Sequence, residues 1–284
     1  MTLKLVDLTL NALLSIRGLK LALPLAAAGG LALALVTGEP SATAEQKPAP
    51  SAAAKVFSDE QRAGIEAIIK DYLIANPELF LEIQSALETK LQAMQAEQLQ
   101  SAIKDNAAEI YKDNGSPTVG GSDADVAVVE FFDYNCGFCK RGFPQLAKLV
   151  EGDKKVRVVF KELPILSEGS MEAAKVALAA KQQGKYWEVH QALMMHKGQT
   201  NGEVALKTAE KLGLDVAKLK TDMASPEVAK EIESVNKLAQ KMGINGTPHY
   251  LVADKSIAGA PEDLHDQLVG LVKETRDAGG CKIC

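Results

Sequence analysis

Apolar residues recur at helical spacing early in the chain, beginning after residue 57. Between Ser58 and Asn76 they stand at positions 65, 68, 69, 72 and 73, which is the pattern of one apolar helix face. Ser58 and Gln61 have the spacing of a capping box and predict the start of this helix. Asn76-Pro77 ends it, and a second helix beginning at Pro77 meets no further breaker before about Asp113.

After residue 116 the pattern changes to short β-branched runs that alternate with helical segments. The runs 126–132 (VAVVEFF) and 156–160 predict buried strands, and 250–253 with 256–258 predict a hairpin. Four or five helical patterns occupy residues 170–243, and Pro261 begins a last helix. Strands interleaved with helices predict an α/β domain with a small sheet.

The amino terminus has the three parts of a secretory signal. Residues 21–38 carry no charge, Arg17 and Lys20 precede them, and Ala42-Thr43-Ala44 follows. We therefore predict a signal peptide over residues 1–44 and, because of its Pro, Ala and Ser content, a linker over residues 45–57. The alternative is an uncleaved anchor, since this apolar segment approaches the length that spans a bilayer. In both cases the rest of the chain is exported to a compartment where disulfides persist.

Composition and charge exclude two classes of protein. The 284 residues are 46% hydrophobic, which is too apolar for a disordered chain. The net charge is −5, from 32 Lys and Arg against 37 Asp and Glu, so we expect no nucleic-acid partner. The four cysteines form two C-x-x-C pairs, and these are the more informative feature.

Cys136 and Cys139 follow a predicted strand and open a helical pattern. A redox-active dithiol needs one reactive thiolate, and a helix N-terminus stabilises negative charge. Cys136 is therefore the predicted nucleophile and Cys139 the resolving cysteine. The alternatives are an inert disulfide and half of a zinc site. Against zinc, His190 and His196 are six residues apart, outside the usual ligand spacing. We expect no metal at this site and no cofactor.

Three segments resemble a known family. Residues 130–139 (EFFDYNCGFC) resemble the active-site strand and helix of DsbA-like periplasmic thioredoxin-fold proteins. Gly246-Thr247-Pro248 resembles the cis-proline loop of that family, and residues 186–190 (YWEVH) resemble its helical insertion. With the helices before residue 113, the chain is most similar to the ScsC-type branch, named for suppression of copper sensitivity.

The resemblance implies a fold, a domain division and roles for three more residues. The fold class is α/β: a thioredoxin fold with a helical insertion, preceded by an all-α arm over residues 58–115. The catalytic domain would span residues 116–278. Pro248 would be cis and lie beside Cys136, so that the backbone of Thr247 can pair with a substrate peptide; the alternative is an ordinary turn. Glu130 would accept the proton of Cys139; the alternative is a strand residue that reaches solvent at a sheet edge.

The second pair, Cys281 and Cys284, departs from this family pattern in the tail formed by residues 279–284. Local pairing into a disulfide is the simplest arrangement. A second alternative is a dithiol that relays electrons to the main site. A third is a thiolate clip for Cu(I) or zinc.

The second predicted helix has an apolar seam close to a heptad repeat, formed by Phe80, Ile83, Leu87, Leu91 and Met94. A helix of this length outside a small domain predicts a homo-oligomer, and the resemblance to the ScsC-type branch implies self-association with a trimer as the first candidate. The alternative is an arm that folds back on the catalytic domain.

Together these features predict an exported thiol-disulfide oxidoreductase, periplasmic or anchored facing the periplasm. Its partners would be cysteine-containing exported proteins and a membrane redox partner. Thr247 before Pro248 and the Gly137-Phe138 dipeptide favour isomerisation by analogy. The alternative is a metal-binding or surface interaction protein that keeps the scaffold without turnover.

Overall fold

A computed structural model describes residues 56–112, 115–121 and 123–284 of the protein. The predicted signal peptide, residues 1–44, and the predicted linker up to residue 55 lie outside the described residues. Of the described residues, those up to residue 69 belong to one unit and those from residue 70 to another. Among the described residues, no helix has both the length and the apolar composition needed to cross a membrane.

The predicted start of the first helix is confirmed. Helix α1 spans Asp59–Ala75 and begins with the capping box, in which the Gln61 N–H donates to Ser58 Oγ at 3.2 Å. In return the Ser58 N–H donates to Gln61 Oε1 at 2.9 Å. Both bonds satisfy N–H groups that a helix N-terminus leaves without partners.

Helix α2 spans Glu78–Asp105, so the prediction of one helix running to about Asp113 was wrong. The chain turns at Asn106 and continues as the short helix α3, Ala107–Tyr111. The Asn106 side chain donates to the Ala102 carbonyl at 2.8 Å, a local bond that competes with helix continuation. The turn buries Ile110 and Tyr111 in the sheet domain, and that burial favours the break.

Five strands form one sheet in the order β1-β3-β2-β4-β5. Their bounds are Thr118–Gly120, Val126–Phe132, Val156–Glu162, His249–Val252 and Lys255–Ala258 for β1 to β5. Strands β2 and β3 are parallel, and the other neighbouring pairs are antiparallel. The predicted strands and hairpin are confirmed. Strand β1 was missed because three residues carry no readable alternation.

Seven further helices follow α3. They are α4 (Gly137–Gly152), α5 (Glu168–Lys181), α6 (Tyr186–Met194), α7 (Gly202–Lys211), α8 (Val216–Asp222), α9 (Pro226–Lys241) and α10 (Leu264–Asp277). Five of them, α5 to α9, form the predicted helical region between β3 and β4. The last helix begins at Leu264, three residues later than the predicted start at Pro261.

The sheet is buried on both faces, and alternate residues of β2 point into two different cores. Val126, Val128 and Phe132 belong to a first core with residues of α4, α5, α6 and α10. Ala127 and Val129 belong to a second core with residues of α2, α3 and α9. This is why all seven residues of β2 are buried, and why its sequence reads as one continuous apolar run.

Candidate active site

Cys136 is the N-cap residue of α4 and lies a few residues beyond the end of β2. Its backbone is extended, with φ −75° and ψ 112°, and its sulfur accepts a hydrogen bond from the Cys139 N–H at 3.1 Å. The thiol is therefore directed at the free N–H groups of the helix N-terminus, where negative charge is stabilised.

The pKa of Cys136 falls to about 6, chiefly because of a hydrogen bond from the Cys139 thiol. Burial opposes this shift, while the Thr247 side chain and the backbone N–H groups of Cys139 and Phe138 add to it. A thiol with this pKa is mostly ionised at neutral pH, which is the condition for attack on a disulfide.

Cys139 lies one helical turn further on and is fully buried. Burial raises the pKa of its thiol far above the ordinary value, and the hydrogen bond to Cys136 acts in the same direction. Both cysteines are free thiols in this structure. The pair therefore holds one ionised sulfur and one protonated sulfur in contact.

The loop before β4 approaches the same sulfur. The Thr247–Pro248 peptide bond is cis, and the Cys136 sulfur lies 3.2 Å from the Thr247 carbonyl oxygen, to which the thiol donates when it is protonated. Phe131 near the end of β2 is opposite His249 at the start of β4. Because these strands are antiparallel, the residues after β2 and the residues before β4 meet at the same end of the two strands.

Glu130 lies in β2, the central strand, and is completely buried, so the alternative of an edge residue reaching solvent is wrong. Neither carboxyl oxygen has a hydrogen-bond partner among the described residues. Burial is the main reason that the pKa of Glu130 rises to about 8. Negative charge on Cys136 acts in the same direction, and the Tyr250 side chain opposes the shift. The same carboxylate contributes to the raised pKa of Cys139, which places it within electrostatic reach of that thiol.

Tyr250 is a member of this site that sequence reasoning missed. It is directly opposite Glu130 in the register of β2 and β4, so both side chains point to the same face. Its hydroxyl is buried against α4, where a Cβ atom on Gly142 would lie only 2.7 Å from it. A polar aromatic residue next to the apolar pair Leu251-Val252, two residues after Pro248, was the available signal.

The segment before Cys136 is held by two polar side chains that sequence reasoning also missed, Asp133, which is buried, and Asn135, which is half-buried. Asp133 accepts hydrogen bonds from the N–H groups of Asn135 at 2.7 Å and Leu166 at 3.0 Å. The Asn135 amide donates to the Thr200 carbonyl at 2.8 Å and accepts from the Thr200 N–H at 2.7 Å. Since Asx residues in turns commonly bond to nearby backbone, the D-Y-N sequence before Cys136 was the available signal.

Lys140, directly after Cys139, binds the loop between α6 and α7. Its ammonium donates to the carbonyl groups of His196 and Gly198, each at 2.9 Å. Together with Asn135, this contact fixes the loop before α7 beside the C-x-x-C motif. Phe138, between the two cysteines, is 56% exposed, and the Arg141 guanidinium lies 4.5 Å from the centre of its ring.

A second buried carboxyl, Glu162, accepts hydrogen bonds from the hydroxyls of Tyr134 and Tyr186, each at 3.0 Å. The Tyr134 hydroxyl also lies 3.1 Å from Nδ1 of His190. Burial raises the pKa of Glu162 and lowers that of His190 to about 3. The four side chains form a buried network in the first core that fixes Tyr134, two residues before Cys136. His190 is thus a core residue.

The tail cysteines, Cys281 and Cys284, are joined as a disulfide, the simplest of the three alternatives. Cys284 packs against the second core, with its sulfur 4.0 Å from the Ala127 carbonyl at the beginning of β2. Cys136 lies beyond the other end of that strand. In the part of the chain that the structure describes, no group of three or more His, Cys, Asp or Glu side chains is placed to hold a metal ion.

Two family models match the chain. The model of the DSBA-like thioredoxin domain matches residues 127–269, which is half of the chain and includes Glu130, both active-site cysteines and the Thr247-Pro248 loop. The model of the copper resistance protein ScsC N-terminal domain matches residues 61–94. The resemblance inferred from the sequence is confirmed.

Solved structures extend the comparison to the fold. A thioredoxin-like oxidoreductase from Silicibacter pomeroyi DSS-3 is 44% identical, with a TM-score of 0.58 over 60% of this chain and 97% of its own. A linker-deletion mutant of ScsC from Proteus mirabilis is 27% identical, with a TM-score of 0.60 over 78% of this chain and 98% of its own. The predicted thioredoxin fold with a helical N-terminal region is confirmed.

Curated relatives include the disulfide bond formation protein D of Bacillus subtilis (strain 168). It is 33% identical over 161 residues, which are 50% of this chain and 70% of that protein. A Na⁺/H⁺ antiporter of Salinispora tropica is 31% identical over 135 residues, 47% of this chain. The chain spans about a fifth of the length of such antiporter relatives (21%).

Proposed function

The chain belongs to the DsbA-like thioredoxin-domain family of thiol-disulfide oxidoreductases, and on this premise we propose that it exchanges and isomerises disulfides in exported proteins. The observation that carries the proposal is the pairing of Cys136 with Cys139 and Thr247. A thiol with its pKa lowered to about 6 accepts the Cys139 N–H at 3.1 Å and lies 3.2 Å from a backbone carbonyl before a cis-proline.

The proposed reaction begins with attack of the Cys136 thiolate on a substrate disulfide. A mixed disulfide forms between Cys136 and one substrate sulfur, and the other substrate sulfur leaves as a thiolate that takes a proton. Thr247 and Pro248 hold the substrate peptide, because a free backbone beside the nucleophile can pair with an extended chain.

Resolution uses the second cysteine. Cys139 gives its proton to Glu130 and attacks the Cys136 sulfur, which releases the substrate thiolate and leaves the Cys136–Cys139 disulfide. Glu130 suits this role because its pKa of about 8 lies close to neutral pH: the carboxylate that accepts the proton is a minor form, and once protonated the carboxyl keeps its proton. In isomerisation a second substrate thiol displaces Cys136 before Cys139 attacks.

We propose self-association through the apolar seam of α2, with a trimer as the first candidate. Phe80, Ile83, Leu87, Leu91 and Met94 are each between 47% and 60% exposed. The ScsC N-terminal match covers all five positions. Contiguous apolar patches of this kind mark association surfaces. Neighbouring sites in an oligomer would let one hold a mixed disulfide while another engages the same substrate.

The proposed export of the chain is consistent with disulfide exchange as its function. The proposed location is the periplasm, with residues 1–44 either removed or kept as an anchor facing it. There a dithiol enzyme meets cysteine-containing exported proteins and needs a membrane redox partner to reset it. A scaffold without turnover, serving as a metal carrier or interaction protein, is the competing function.

Insulin reduction and reactivation of scrambled ribonuclease distinguish the two. Both assays use a chain whose tail cysteines are replaced (Cys281→Ser with Cys284→Ser), so that only the first C-x-x-C can react. We expect turnover in both assays and its loss on adding Cys136→Ser, with circular dichroism confirming that the variant is folded. Equal rates with and without Cys136 would leave the scaffold function as the explanation.

A further inference from the structure

We propose that the Cys281–Cys284 disulfide is a second thiol-disulfide exchange centre, which accepts electrons from a dithiol of another protein and not from Cys136. This goes beyond the function proposed for the first C-x-x-C. It rests on three features of the tail: the hydrogen bond at Cys281, the unequal packing of the two cysteines, and their distance from Cys136.

The first feature is a hydrogen bond shared by both motifs. The Cys284 N–H donates to the Cys281 sulfur at 3.1 Å, as the Cys139 N–H donates to the Cys136 sulfur at 3.1 Å. An N–H aimed at sulfur stabilises the thiolate that forms when the disulfide opens. Lys282, which is exposed, adds a cation beside it. Cys281 thus has the surroundings of a reactive cysteine.

The second feature is an asymmetry in packing. Ile283 and Cys284 pack against the second core, whereas Cys281 is not among the residues that do so. A cavity of about 330 Å³, lined by Gly280, Lys282 and Ile283, lies along the tail and opens to solvent. Both cysteines are half-buried, but only Cys284 is held by the second core, so Cys281 is the sulfur that an incoming thiolate can reach without displacing core residues.

The third feature is the position of the tail relative to Cys136. The Cys284 sulfur is 4.0 Å from the Ala127 carbonyl, near the first residue of β2. The five residues from there to Phe132 span about 17 Å, and Cys136 lies beyond them. Exchange within the chain would require Ile283 and Cys284 to leave the core. An external dithiol needs no such movement.

The proposed step conserves atoms and electrons. One thiolate of the partner attacks Cys281, the S–S bond breaks, and Cys284 leaves as a thiolate that takes a proton. The second thiol of the partner then loses its proton and attacks the partner sulfur that is bonded to Cys281, which releases the Cys281 thiolate. The partner dithiol is oxidised to a disulfide, and the tail is reduced to two thiols.

The test uses the full chain with Cys136→Ser and Cys139→Ser, so that only the tail can react. The protein is equilibrated with glutathione buffers of graded ratio, alkylated with iodoacetamide and analysed by peptide mass spectrometry. We expect the tail to pass from oxidised to reduced within the range of these buffers. After reduction, Cys281 should be alkylated about tenfold faster than Cys284 at neutral pH, because only Cys281 has the N–H bond and the adjacent cation.

Lys282→Gln, which leaves both cysteines in place, should slow alkylation of Cys281 about twofold or more and leave Cys284 unchanged. A tail that stays oxidised at every glutathione ratio, or two cysteines that react at equal rates, would overturn the proposal. The same measurement on the chain with all four cysteines guards against misfolding of the double variant.

A trapping experiment tests the claim that the partner is external. In a variant with Cys139→Ser and Cys284→Ser, neither Cys136 nor Cys281 has a resolving cysteine, so mild oxidation traps any encounter of the two as a Cys136–Cys281 disulfide. We expect none within one chain or between chains, while dithiothreitol reduces the tail disulfide of the parent chain. Accumulation of that disulfide would contradict the external partner and identify the tail as a relay to the first site.

Discussion

The Cys136 sulfur lies 3.2 Å from the carbonyl oxygen of Thr247, although 111 residues separate them along the chain. They meet because β2 ends where the antiparallel strand β4 begins. The antiparallel pairing of these two strands therefore brings the nucleophile and the peptide-binding loop together. Every proposed step of the reaction depends on this contact.

Thr247→Val tests how the loop tunes the nucleophile. Valine keeps the shape of the side chain and removes the hydroxyl, and the Thr247 side chain lowers the pKa of Cys136. We expect that pKa to rise by roughly half a unit to one unit, since one of several stabilising bonds is lost. Thiolate absorbance against pH measures it. An unchanged midpoint would show that the hydroxyl makes no contribution.

Cys139→Ala tests the largest contribution to the lowered pKa of Cys136. The hydrogen bond from Cys139 is the main reason that the pKa of Cys136 is about 6. Without it we expect the midpoint to rise but to stay below the unperturbed value of ~8.5, because the backbone donors of α4 remain. A midpoint at or above that value would contradict the role of the helix N-terminus.

Much of this site could be predicted from local sequence. The VAVVEFF run predicted β2 to the residue, because a strand buried on both faces is apolar throughout. The C-x-x-C that follows predicted a cysteine at a helix N-terminus, and Cys136 is that N-cap residue. Pro248 near Cys136 came from the family resemblance, because no local pattern joins residues so far apart.

What sequence reasoning missed depends on tertiary contacts. Tyr250 read as one more strand residue, and its place opposite Glu130 follows only from the register of β2 and β4. The break at Asn106 is favoured by burial of Ile110 and Tyr111 in the second core, which helix propensity does not contain. Asn135 is bonded to Thr200, 65 residues later in the chain, and no local pattern predicts that contact.

Glu130→Gln separates proton transfer from stability. A carboxyl whose pKa is raised to about 8 binds more protons folded than unfolded, so stability falls as pH rises from about 4.5 to about 8. Removing the charge should abolish that loss, making the variant more stable at pH 8 by an amount on the order of 4 kcal/mol.

The same variant should resolve mixed disulfides more slowly, because Cys139 loses its proton acceptor, while Cys136 is alkylated at the parental rate or faster. Urea unfolding at two pH values and stopped-flow dithiol exchange measure the two effects. A variant whose stability changes with pH as the parent's does would contradict a buried, protonated Glu130.

Leu87→Glu with Leu91→Glu tests the self-association proposed for α2. Both residues are about half exposed, so charging them should cost the single chain little while opposing burial between copies. We expect light scattering to give a monomer that still exchanges dithiols but reactivates scrambled ribonuclease poorly. Point substitutions are preferable to deleting residues 45–113, because Ile103 and Ile110 belong to the second core.

Ser85→Glu with Thr89→Glu is the matched control, since it adds the same two charges, at the same spacing, at exposed positions outside the apolar seam. It should leave the oligomer intact. A parent chain that is already a monomer, or a charged variant that remains an oligomer, would contradict association through this surface.

The most direct test of the central claim is the reduction potential of the Cys136–Cys139 pair. It is measured in glutathione buffers on the chain with Cys281→Ser and Cys284→Ser, so that a single dithiol titrates. A lowered pKa at Cys136 stabilises the reduced form and makes the disulfide oxidising. We predict a potential between roughly −270 and −120 mV, the range of working thiol-disulfide enzymes. A potential below about −300 mV would mark a structural disulfide and contradict the account.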